Sequence, residues 1–170
     1  MKFLVFSDTH GSLWRAENVL RAIGEKMDGV FHLGDCVEDA QELERQFPKL
    51  PFTFVRGNND FEPIAGEKLL HQQNRTILLT HGHRLNVSYG MDRLYYHALE
   101  QGADVALFGH THHPHLEQAG GVLLMNPGSI SLPRGGLPAF GILMMEHGRV
   151  EGAIMEYWGE KDFRRMDVVR

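Results

Sequence analysis

The chain has 170 residues, enough for one compact domain with a sizeable core and short for two. Its hydrophobic content of 42% and charged content of 23% exclude a largely disordered chain. The net charge of −5, with Lys and Arg scattered, offers no basic stripe for a nucleic-acid backbone. The opening MKFLVF stops at Ser7 and Asp8, too early for a signal-peptide core. No apolar run reaches the roughly 18 residues of a membrane span. Cys36 is the single cysteine, which excludes an internal disulfide and agrees with a reducing compartment. The expected location is therefore the cytoplasm, with neither membrane nor nucleic acid as partner.

In chain order, Lys2 to Phe6 is a short apolar run that reads as a buried strand. Ser12 is then placed to cap a helix whose Ala16, Val19, Leu20, Ile23 and Met27 follow helical spacing. VFHL (30–33) reads as a second strand, and Ala40, Leu43 and Phe47 mark the inner face of a second helix ended by Pro48 and Pro51. FTFV (52–55) is a third strand. This β-α-β-α-β order favours a parallel sheet with right-handed crossovers. EKLLH and RTILLT form an expected hairpin around residues 72–74, and a third helix carries Met91, Leu94, Tyr95, Ala98 and Leu99 on one face. After the strand DVALF (104–108) the pattern changes to short antiparallel pieces, HLEQA with VLLMN and AFGILMME with RVEGAIMEYW. A second sheet is expected there, within a single domain of residues 1–170 whose last residues, 158–170, read as a polar tail.

The polar residues are organised around these runs. Asp8 and His10 follow the first strand, Asp35 the second, Asn58 the third, His81 the hairpin strand, and His110 and His112 the strand DVALF. In open α/β sheets the ligand site lies outside the carboxyl ends of the strands, so these loops can converge on one crevice. Two Asp, one Asn and four His are too many groups for one transition metal that must also leave room for water and substrate. Two metals fit better, with Asp35 as the natural bridge across a separation of about 3.5 to 4 Å. Imidazole and carboxylate donors without thiolate suit Mn, Fe, Zn, Co or Ni and argue against a dedicated calcium site.

The motifs DTH (8–10), GD (34–35), GNND (57–60), HGH (81–83) and GHTH (109–112), in that order, resemble the calcineurin-like metallophosphoesterase family, and NPGS (126–129) resembles a loop of its small single-domain phosphodiesterase branch. The resemblance implies a four-layer α/β/β/α sandwich of two mixed β-sheets flanked by helices, with a dinuclear site at the carboxyl ends of the strands. It implies Asp8, His10 and His112 on one divalent metal, Asn58, His81 and His110 on the other, and Asp35 between them. Manganese is the first expectation, with Ni, Co, Fe or Zn as alternatives. The implied reaction is in-line attack by a metal-bridging hydroxide on a phosphorus ester. Many family members carry His after the metal-binding Asn; here that position is Asn59, whose neutral amide cannot be a general acid but can donate to a phosphoryl oxygen. Asn58 and Asn59 are thus the expected catalytic pair and Asn59 the substrate contact. A small phosphodiester is the expected substrate, and relatives suggest a homo-oligomer.

Other residues read differently. His113 and His115 lie past the GHTH match and are expected at the rim or surface. His83 reads either as support for a ligand or as a turn residue, and Asp60 either orients Asn59 or closes its turn. Ser129 and Ser131 lack a GxSxG setting, which weakens a serine-hydrolase reading. The rival functions are a protein-binding scaffold resembling the vacuolar-sorting members of the fold, a phosphomonoesterase or nucleotidase of the same family, a recombination-type nuclease and a passive metal buffer. Retention of every metal position favours the enzyme, since clustered carboxylates and histidines left unpaired would cost stability.

Overall fold

The computed structural model describes residues 1–169. Strand β1 (Lys2–Phe6) sends Leu4 and Phe6 to one face and Phe3 and Val5 to the other, and this alternation builds two cores at once. Leu4 and Phe6 meet Ala16, Val19 and Leu20 of helix α1 (Trp14–Ile23) and Leu43 of helix α2 (Val37–Gln46). Phe3 and Val5 meet Ile77, Leu79, Val105 and Leu107 of the opposing sheet.

The first sheet runs β11-β10-β9-β1-β2-β3, with β1, β2 (Gly29–His32) and β3 (Phe52–Phe54) parallel and β9 (Ala139–Glu146), β10 (Arg149–Gly159) and β11 (Asp162–Val169) antiparallel. The second runs β4-β5-β6-β8-β7, built from β4 (Glu67–Gln72), β5 (Arg75–Thr80), β6 (Val105–Leu107), β7 (Pro114–Ala119) and β8 (Val122–Pro127). Its central strands β5, β6 and β8 are parallel and its edges antiparallel. Helix α3 (Asp92–Glu100) covers its outer face through Leu94 and Ala98, packed with Leu78, Ala106 and Leu124. The result is the expected α/β/β/α sandwich with two mixed sheets.

Local details differ from expectation in three places. Helix α1 begins after Leu13 without a side-chain cap; the Ser12 carbonyl instead accepts the Ser131 hydroxyl at 2.7 Å. Met27 lies beyond α1, half-buried against the same core. The closing segment, read as a tail, contributes strand β11, whose partner β10 supplies the pairing that its polar composition does not advertise. The hairpin turn is Gln73–Asn74, both at positive φ (52° and 59°), the type I′ geometry that matches strand twist.

Strand β2 also buries a histidine that its apolar setting disguises. His32 is fully buried, 3.1 Å from the Thr9 hydroxyl, and its Nδ1 accepts the Gly34 amide at 3.3 Å. Burial pushes its pKa down to about 4, against the pull of Asp8, Asp39 and Asp60. The folded chain therefore refuses a proton that the unfolded chain accepts below about pH 6.5, and stability falls as pH drops from there toward 4. The expected loss from His32 alone is about 3 kcal/mol at the bottom of that window. Urea denaturation at pH 7 and pH 4 should show a smaller pH dependence in His32→Asn than in wild type; equal slopes would refute the assignment.

Candidate metal centre

The parallel strands β1, β2 and β3 of one sheet and β5 and β6 of the other end at the same crevice. Asp8, His10, Asp35 and His112 each place a ligand atom within 4.8 Å of the others. Asp35 lies between two groups: its Oδ2 is 3.8 Å from His10 Nε2, and its Oδ1 is 3.4 Å from His81 Nε2. His81 Nε2 in turn stands 3.1 Å from Asn58 Oδ1, and the His110 ring lies 5.2 Å from that of His81. All seven residues singled out as metal ligands lie around this crevice, with Asp35 beside both His10 and His81.

The donors are aimed inward. The carbonyls of Leu33 and Leu132 lie 2.7 and 2.6 Å from Nδ1 of His81 and His112. A carbonyl only accepts, so both rings donate from Nδ1 and present Nε2 to the crevice. His10 Nε2 and His112 Nε2 face each other at 3.2 Å. Asp8 Oδ1 is buried without a hydrogen-bond partner, 3.3 Å from His112 Nε2 and 4.0 Å from His81 Nε2. An orphaned carboxylate oxygen among convergent imidazole nitrogens fits a divalent transition metal, whose charge would repay its desolvation.

Charge follows the same division. Burial alone would raise the Asp8 carboxyl, but the His112 and His81 imidazoles and the Ser7 hydroxyl hold it below the ordinary range. Burial opposes ionisation of Asp35 as well, and His81 and the two N–H groups of Asn59 outweigh it. His81 is pulled down by burial and more strongly up by Asp35 and Asp8, whereas Asp8 is the leading cause that raises His112. His110 goes the other way, lowered by burial and by the charge on His81. The two carboxylates thus favour the protonated form of the neighbouring imidazoles, and a cation bound there would compete with those protons.

Backbone strain concentrates here. Asp8, His10, Asp35, His110 and His112 all have positive φ, between 47° and 71°. Such conformations persist only where surrounding structure enforces them. Asp60 supplies part of that enforcement: its carboxylate accepts the amides of Asp35 (2.9 Å), Cys36 (2.9 Å), Val37 (2.7 Å) and Gly57 (2.6 Å). It holds the turn carrying Asp35 and places negative charge at the start of α2. A Cβ on Gly57 would sit 2.1 Å from Asp35 Oδ1, so only glycine lets the two loops approach. Ser129 does the equivalent for His112. Its hydroxyl donates to the Asp8 carbonyl (2.7 Å) and accepts the Ser131 and Leu132 amides, fixing the loop whose Leu132 carbonyl holds His112. Asp60 closes its own turn through the Gly57 amide, one of the two sequence readings; its hold on Asp35, Cys36 and Val37, and that of Ser129 on Asp8, escaped sequence reading because those partners lie far along the chain.

The remaining residues sort plainly. Asn59 donates from its backbone N to Asp35 Oδ1 (3.0 Å) and from its side chain to Oδ2 (2.7 Å), so it grips the central carboxylate where a free donor to substrate was expected. The His83 ring lies 5.4 Å from that of His81, with Nδ1 buried and unpartnered; burial lowers its pKa to about 4, so it is neutral at neutral pH. His113 is exposed and His115 is 3.1 Å from Glu117, both outside the cluster. Among the described residues no helix is long and apolar enough to cross a membrane.

Residues 1–148 match the calcineurin-like phosphoesterase superfamily domain, and the chain belongs to that family. It is 40% identical over 136 residues to the probable metallophosphoesterase YsnB of Bacillus subtilis, covering 79% of this chain and 78% of that one. It is 35% identical over 170 aligned positions to the phosphodiesterase YfcE of Escherichia coli, covering 84% and 87% of the two chains. The solved structure of YfcE superposes with a TM-score of 0.75 at 26% identity over 99% of this chain and 98% of that one. Zinc-bound Vps29 from Entamoeba histolytica has a TM-score of 0.81 at 18% identity, over 99% and 98% of the chains, a likeness of fold alone. This chain is a metallophosphoesterase, a hydrolase of phosphate esters.

Proposed function

We propose that the protein is a phosphodiesterase working with two divalent transition-metal ions, manganese first, with Ni, Co, Fe or Zn as alternatives. The observation that carries this reading is the position of Asp35, one oxygen toward His10 and the other toward His81. Asp8, His10 and His112 would hold one ion, Asn58, His81 and His110 the other, with Asp35 shared. Bound there, the ions supply an activated water and neutralise charge on the phosphoryl group. They also give an acidic chain its attraction for an anionic substrate.

The chain's own part is orientation. Asn59 fixes the plane of Asp35, and Leu33 and Leu132 fix the faces of His81 and His112. Hydrolysis forms one bond from water oxygen to phosphorus and breaks the opposite ester bond, releasing an alkoxide or phenoxide. No imidazole occupies the position of Asn59, and an amide cannot protonate that leaving oxygen. Esters with good leaving groups are therefore the favoured substrates, which supports a phosphodiester over a phosphomonoester, with modest turnover. The lone Cys36 supports a cytoplasmic setting.

The test is hydrolysis of bis(p-nitrophenyl) phosphate by chelator-stripped protein with single metals restored. Turnover should return with at least one transition metal and fall at least a thousandfold in His112→Ala. His147→Asn, at the exposed β9–β10 turn, should stay within twofold of wild type. Inactivity with every metal in folded, metal-binding protein would overturn the enzyme reading in favour of a scaffold.

A further inference from the structure

Beside the metal centre lies a groove of about 370 Å³, within the size range of small-ligand sites. Buried Phe108 and Val87 provide apolar lining, with Met91 and Pro114 beside them and Ser88 and Arg134 exposed on the rim. The groove's lining adjoins the metal centre along the chain. Phe108 leads directly into Gly109 and His110, and Thr111, between His110 and His112, faces the groove as well. The Arg134 amide donates to the His112 carbonyl at 3.2 Å.

Arg134 is the cation of this junction. Its side chain lines the groove, and its charge lowers the pKa of both His110 and His112. Among the described residues no carboxylate pairs with it. A planar fork of N–H donors suits a phosphoryl oxygen. Tyr89, next to Ser88 in the chain, exposes 92% of its surface. Buried Phe108 and Val87 between His113, His115 and one unpaired arginine suit a flat aromatic group attached to a phosphate.

We propose that this groove binds one ester arm of the substrate, with preference for a planar aromatic arm, while Arg134 holds a non-bridging oxygen of the same phosphate. The proposal rests on the phosphodiesterase reading and makes Arg134 and the 87–91 segment its determinants of substrate choice. It concerns binding, so it can be tested without turnover.

The experiment is an NMR titration of the full chain, metal-free and again with Zn²⁺, using diphenyl phosphate and diethyl phosphate. Diphenyl phosphate should bind at least tenfold more tightly and shift the methyl signals of Val87 and Met91. Ser88→Trp, which fills the groove from an exposed position, should bring the two affinities within twofold. Arg134→Ala should weaken both ligands at least fivefold. Equal affinities in wild type, or shifts confined to His110 and His112 with Val87 and Met91 unmoved, would overturn the proposal. Selective binding of diphenyl phosphate by a protein that hydrolyses no diester would uphold the groove and contradict the phosphodiesterase reading.

Discussion

Asp35→Ala is expected to lower kcat for bis(p-nitrophenyl) phosphate at least a thousandfold while leaving the protein folded. Asp35 turns one oxygen toward His10 and the other toward His81, so on the proposed two-metal reading its removal leaves two incomplete sites. Metal stabilisation of phosphoryl charge is worth several kcal/mol, and roughly 4 kcal/mol of lost transition-state stabilisation corresponds to about a thousandfold in rate. Asp35→Asn keeps an acceptor for Asn59 but loses half of the carboxylate's capacity, and should sit between the two. Metal content measured on the same samples separates the causes. Wild type should hold two ions per chain and Asp35→Ala no more than one. A variant within tenfold of wild-type kcat would remove Asp35 from the centre of the mechanism.

Asp60→Ala is expected to have the largest effect on stability among the residues near the site. Its carboxylate accepts four backbone amides, and alanine leaves them without that acceptor at a turn where Asp35 and Cys36 both have positive φ. Unsatisfied buried donors cost roughly 1–3 kcal/mol each and water recovers some, so a net loss of about 4 kcal/mol is expected. Urea denaturation monitored by far-UV circular dichroism measures it. Metal affinity should fall in parallel, because the same amides position Asp35. Asp60→Asn, which keeps one oxygen, should recover part of both losses. A change below about 1 kcal/mol would show that the turn holds itself.

These two variants also mark what the sequence makes legible. Strand β1 is visible because its apolar run is short and broken by Ser7 and Asp8, and Asp35 is visible because it follows a strand and a glycine. Residues of that kind declare themselves by type and local spacing. Asp60 does so only in closing its own turn, since its other partners lie as far as 25 positions away in sequence. Ser129 hides for the same reason, 121 positions from the carbonyl that it holds. Strand β11 alternates poorly because charged and apolar side chains mix along its exposed edge, so pairing with β10 rather than burial defines it. His32 hides in an apolar strand, where its polarity is satisfied by Thr9 and the Gly34 amide. Asn59 draws notice by its position after Asn58, but the structure directs its donors to Asp35 where a contact to substrate was expected.

The measurement that bears most directly on the central claim is a crystal structure of Mn²⁺-soaked protein with anomalous diffraction data. Two anomalous peaks are expected, about 3.5–4 Å apart on either side of Asp35, one against Asp8, His10 and His112 and the other against Asn58, His81 and His110. A single peak, or two that do not share Asp35, would contradict the dinuclear assignment on which the proposed chemistry stands.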